Sequence, residues 1–179
     1  MGKQVTKVHN TKGESRHRST ALVLVSVAFL LGGLLGYLIQ EKLPGSPYVH
    51  VFLKEARDHM IQPNLWQEIW RVFRWPVGLL VLRSLPFTGL SVPIWILIRG
   101  FMLSYSISAF TLEDVQFAVL LFGPSCILTL PVLFLMSTEI LLRKVGEPTE
   151  RKPAVILACL LSLILCMVID LAVVPMLLT

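Results

Sequence analysis

The sequence predicts an all-α integral membrane protein of about five transmembrane helices, with amphipathic helices lying on the membrane between the first span and the second. Three observations carry this prediction. The composition is 55% hydrophobic and 15% charged, with a mean hydropathy of +0.74, whereas soluble domains carry about 25% charged residues. So few charges cannot cover a soluble surface. Apolar runs recur along the chain, and cations gather between them rather than within them.

Residues 1–20 are polar, basic and turn-rich, and read as a mobile cytoplasmic segment carrying Lys3, Lys7, Lys12, Arg16 and Arg18. Residues 21–178 form a single membrane domain. Its first span, about 21–40, is longer than the apolar region of a signal peptide, and no small-residue cleavage site follows it, so it is expected to be retained. Gly32 and Gly36 give it a GxxxG motif, which lets a second backbone approach closely.

Residues 41–74 are the one sizeable polar stretch and read as an outer loop. Val49, Phe52, Leu53, Ala56 and Met60 recur on one face of a helix over 49–61, with charges opposite. Pro63 ends that helix, and Asn64 with Gln67 can cap a second over 65–74. In LWQEIWRVFRW, Trp66 and Trp70 stand beside arginines just ahead of an apolar run, as at a membrane interface. The next spans are expected over about 75–98 and 101–112, with Arg99-Gly100 as the turn between them. The stretch 101–112 would rise only about 18 Å against a core near 30 Å, so it either crosses a thinned membrane or re-enters. Further spans follow at about 116–142 and 154–178, separated by the charged loop RKVGEPTERKP.

Charge bias sets the orientation. Five crossings with a cytoplasmic N-terminus put the basic head, Arg99, Arg143, Lys144, Arg151 and Lys152 inside, and leave the acidic Glu113-Asp114 loop outside, as the positive-inside rule asks. The net charge of +5 then marks cytoplasmic loops and contact with anionic lipid, not nucleic acid.

Ionisable residues within spans are rare and are the first place to look for function. Three are expected there: Arg83, Glu139 and Asp170. Glu139 can reach the cytoplasmic interface beside Arg143. Arg83 can reach toward the outer surface past Trp75, and it can also pair with Asp170. The sequence holds no H-E-x-x-H, Walker A or G-x-S-x-G motif, and Ser125 has no histidine in any span to activate it, so neither an enzyme nor a cofactor is expected. Glu55 and His59 are one turn apart but read as a solvated face rather than a metal site. Cys126, Cys159 and Cys166 read as small thiols packed between helices.

The stretch from Pro124 through Ile127, Leu128 and Leu130 to Pro131 has the pattern P-x-x-I-L-x-L-P, and Asp170 precedes Pro175 by five positions in IDLAVVP. With the basic-glycine pair ending in Gly100 and the aromatic approach through Trp66 and Trp70, these features resemble, in order over about residues 20–178, the stage II sporulation protein M family. That family often reads P-H-G-I-L-E-L-P at the first motif. Ser125, Cys126 and Thr129 depart from it here, which removes any polar function resting on those side chains.

The resemblance implies a non-enzymatic scaffold in the bacterial cell membrane, at the sporulation septum or mother-cell membrane. Its expected partners are the lipid bilayer and the stage II sporulation proteins D and P, which degrade septal peptidoglycan during engulfment. A homo-oligomer is compatible with the glycine-bearing helix faces. The alternative is a membrane permease or transporter subunit, in which proline-broken helices line a cavity and Arg83 and Asp170 lie on a path.

Overall fold

The computed structural model describes residues 2–42, 65–111, 115–144 and 153–173, and among these it is all-helical. The helices are α1 (Gly2–Lys42), α2 (Leu65–Arg83), α3 (Thr88–Thr111), α4 (Val115–Lys144) and α5 (Pro153–Val168), the last running on into a π-helical turn, Ile169–Val173. The expected helix over 49–61, the Glu55/His59 pair, the Glu113-Asp114 loop, most of the basic loop after Lys144, and Pro175 lie outside the described residues.

The helix limits depart from the sequence expectation in two places. Over residues 2–20 the basic head is helical and continuous with the first apolar run. Lys, Arg, Gln and Glu are good helix formers, and extending a helix already nucleated by the apolar run adds a hydrogen bond per residue without a new nucleus. The second departure matters more. The segment 65–74 is not a separate surface helix. It is the first half of α2, which continues through Pro76 to Arg83.

The chain therefore turns at 84–87, not at Arg99-Gly100. Ser84 ends α2 by donating both its N–H, at 3.1 Å, and its hydroxyl, at 2.6 Å, to the Val81 carbonyl. Pro86 disfavours a helical Leu85 and offers no N–H of its own, so the helix cannot pass. α3 then starts with the amides of Leu90 and Ser91 on the Phe87 carbonyl. Residues 101–112, expected as a short or re-entrant segment, supply the second half of the 24-residue α3 up to Thr111.

Gly100 is helical and buried, and its role is packing. A Cβ there would collide with the Phe29 carbonyl of α1, and one at Gly32 or Gly36 would collide with the Leu97 or Phe101 carbonyl of α3. α1 and α3 thus cross backbone to backbone, the close approach that a GxxxG face permits. This is the most extensive helix pair in the structure.

Two apolar clusters join the remaining helices. Val25, Trp75, Leu79, Val92, Ile96 and Leu133 bring together α1, α2, α3 and α4. Val72, Val132, Leu163 and Cys166 bring together α2, α4 and α5. Edge-to-face ring pairs bridge α1 to α4 at Phe29–Phe134 (5.4 Å) and α3 to α4 at Phe110–Phe122 (5.4 Å). α4 passes through Pro124 and Pro131 as one uninterrupted 30-residue helix, with Pro131 on its exposed side.

Candidate functional site: an arginine cluster beside Asp170

Moving the turn to 84–87 changes which charges meet. Arg83 ends α2, and it lines a cavity of about 280 Å³ together with Glu139, Cys159 and apolar residues of α2, α4 and α5. Arg71 stands three helical turns earlier. It is Arg71, not Arg83, that pairs with Asp170: Nη2 to Oδ2 is 2.7 Å, with the Asp170 side chain 1% and the Arg71 side chain 32% exposed. The Cys166 thiol, one turn before Asp170 on α5, also donates to Oδ2 at 3.6 Å. Asp170 lies in the π-helical turn, a distortion that often re-aims a side chain at a functional position. The expected Arg83–Asp170 pair is thus corrected. Its physical basis was a helix starting near Trp75, which would have set Arg83 at the depth of Asp170.

Two further arginines stand beside Arg71. Arg71, Arg74 and Arg99 line one cavity of about 80 Å³, closed by Val72, Phe122, Cys126 and Thr129. Trp75 organises the cluster. The Arg99 guanidinium lies 5.0 Å from its ring centroid and that of Arg74 lies 5.6 Å away, within cation–π range. Trp75 in turn packs on Trp95 of α3, with centroids 5.0 Å apart, and the Trp95 indole N–H donates to the Trp75 carbonyl at 3.4 Å. Two donors at this spot, Arg99 Nε and Trp75 Nε1, are buried with no hydrogen-bond acceptor among the described residues.

The Trp75–Trp95 stack also walls a second space. A groove of about 460 Å³ runs between α2 and α3 past Trp70, Arg74, Val77, Val81 and Met102. Gly78 makes room for it, since a Cβ there would meet the Trp95 ring.

The other expected residues fall outside this cluster. Trp66 and Trp70 are 75% and 61% exposed on the first turns of α2, just above Arg71 and Arg74. Gly100 serves the α1–α3 crossing. Pro124 and Pro131 lie along α4. Sequence reasoning singled out Asp170 but missed Arg71, Arg74 and Arg99. A signal was present: apart from Pro76, R-V-F-R is continuous with an apolar run up to Pro86, and Arg99 is flanked by ILI and FML.

Among the described residues, no three His, Cys, Asp or Glu side chains converge as a metal site would need. Comparison with protein-family models, with curated proteins and with solved structures gives no match.

Proposed function

We propose that the chain is a multi-pass protein of a bacterial cell membrane. All five helices cross it with the N-terminus cytoplasmic, and the bundle works as a non-enzymatic scaffold for septal peptidoglycan-degrading partners during engulfment, in line with its resemblance to stage II sporulation protein M. The observation that carries the membrane reading is an inverted distribution of apolar surface. The stretches His17–Lys42 and Thr88–Thr111 are long and apolar enough to span a bilayer, yet only 22% of each apolar window is buried. A core helix of a soluble protein would be mostly buried. Leu30, Leu34 and Leu90 are each more than half exposed, as expected of side chains that face lipid rather than a protein core. The scaffold reading draws on Asp170. The residue that the resemblance highlights joins α5 to α2 through an ion pair, a role suited to holding helices in a fixed arrangement.

Alkaline carbonate extraction should leave the protein in the membrane pellet, and release into the supernatant would overturn the membrane reading. Topology has its own test. With the turn at 84–87, Ser84→Cys should be labelled by an impermeant maleimide from the cytoplasmic side and Glu113→Cys from the outside. A Ser84→Cys variant inert from both sides would contradict this arrangement. For the scaffold itself, tagged protein from sporulating cells should co-purify with the stage II D and P proteins and lose them when 49–61 is deleted. Normal engulfment in cells lacking the protein, with no cell-wall enzyme recovered, would end that reading.

A further inference from the structure

We infer that the Arg71–Arg74–Arg99 cavity and the groove beside it form one binding site for an anionic phospholipid, with the phosphate in the cavity and a hydrocarbon chain in the groove. The inference rests on the membrane reading above but not on the scaffold role.

Charge is the first argument. Three guanidiniums line the cavity, and its remaining lining is uncharged. Asp170 is engaged by Arg71. The exposed Arg74 and the part-buried Arg99 both lie against the Trp75 ring, so two like charges stand close together, an arrangement that an anion between them would relieve. Orphaned donors are the second. Arg99, which lines the cavity, has a buried Nε without an acceptor among the described residues, and such a group calls for a missing partner; the Trp75 Nε1 donor, likewise without an acceptor, belongs to a residue that lines the groove. A phosphate supplies several acceptor oxygens and matches the planar donor fork of arginine.

Size and continuity decide between a free anion and a lipid. A cavity of about 80 Å³ is several times what one water needs, enough for a compact tetrahedral group. Arg74 lines both this cavity and the 460 Å³ groove, so a ligand's charged head and apolar chain would be contiguous. The groove walls of Trp70, Val77, Val81 and Trp95 have no use for inorganic phosphate.

The test uses full-length protein in a zwitterionic detergent, read by native mass spectrometry. Phosphatidylglycerol, diacylglycerol with the same chains, and inorganic phosphate are offered separately. Phosphatidylglycerol should be retained at least about tenfold better than either of the others, equivalent to roughly 1.4 kcal/mol. Equal retention of diacylglycerol would remove the phosphate site, and equal binding of inorganic phosphate would remove the groove. Arg74→Gln and Arg99→Gln should each lower phosphatidylglycerol occupancy about tenfold, while Arg83→Gln, at the far end of α2, should leave it unchanged. A loss of the same size with Arg83→Gln would reduce the effect to general charge and overturn the site. The wild-type arms decide the question even if an arginine variant fails to fold. A protein that resists carbonate extraction yet retains no phosphatidylglycerol would sink this inference and leave the membrane reading standing.

Discussion

Alanine at Gly32, Gly36 or Gly100 is expected to destabilise the purified protein by about 1–3 kcal/mol each, whereas alanine at Gly33 or Gly123 should be neutral or stabilising by up to about 1 kcal/mol. All five positions are helical, so a helix-propensity argument alone would have every one of these changes stabilise. What separates them is the object a Cβ would meet. At Gly32 it is the backbone of Leu97 and Phe101, at Gly36 that of Phe101 and Tyr105, and at Gly100 that of Phe29 and Gly33. Backbone cannot rotate away as a side chain can, so α1 and α3 must separate. Separation forfeits dispersion contacts and Cα–H···O contacts along the crossing. At Gly33 the nearest atom is Ser104 Cβ at 3.9 Å, and at Gly123 it is Val119 Cγ1 at 4.0 Å, ordinary contact distances. Thermal unfolding in detergent reads the difference. If Gly33→Ala proved as costly as Gly32→Ala, the backbone-to-backbone crossing would be wrong.

The same glycines show what the sequence could and could not reveal. Helical class followed directly from composition and from apolar runs. Gly32 and Gly36 pointed to close packing because they recur at one-turn spacing within an apolar run. Gly100 did not, because a glycine after an arginine serves equally well as a turn or as a contact point. Only the partner helix distinguishes these uses, and that partner lies in α1, far off in sequence. The turn was legible in principle: Ser84, Pro86 and Thr88 hold more turn chemistry than Arg99-Gly100. Placing the break at a charge rather than at Pro86 shifted α2 along its axis and assigned Asp170 the wrong arginine. The arginine cluster was illegible for a further reason. Arg71 and Arg74 belong to α2, Arg99 to α3 and Asp170 to the end of α5, so no local spacing encodes their meeting.

Asp170→Asn should lower stability by roughly 2–4 kcal/mol. Breaking a fully buried pair by neutralising one partner costs about 3–5 kcal/mol, because the other charge stays behind uncompensated. Here the carboxylate is almost fully enclosed while Arg71 keeps 32% exposure, so part of its charge remains solvated and the lower figure applies. The local arrangement adds to the loss. Removing the anion leaves Arg71, Arg74 and Arg99 as three cations around one cavity, and their mutual repulsion bears on α2 and α3. Arg71→Gln should cost at least as much as Asp170→Asn, since the carboxylate it strands is almost fully enclosed. The double variant should then be more stable than the sum of the two losses implies, with a coupling of about 1–3 kcal/mol. Additive losses would mean that Arg71 and Asp170 act independently, contrary to a direct pair. Arg83→Gln combined with Asp170→Asn supplies the contrast. The two side chains belong to opposite ends of the bundle, so their losses should add to within about 0.5 kcal/mol. Coupling there, and not at Arg71, would restore the pairing that the sequence suggested and displace the turn at 84–87 on which this arrangement of charges depends.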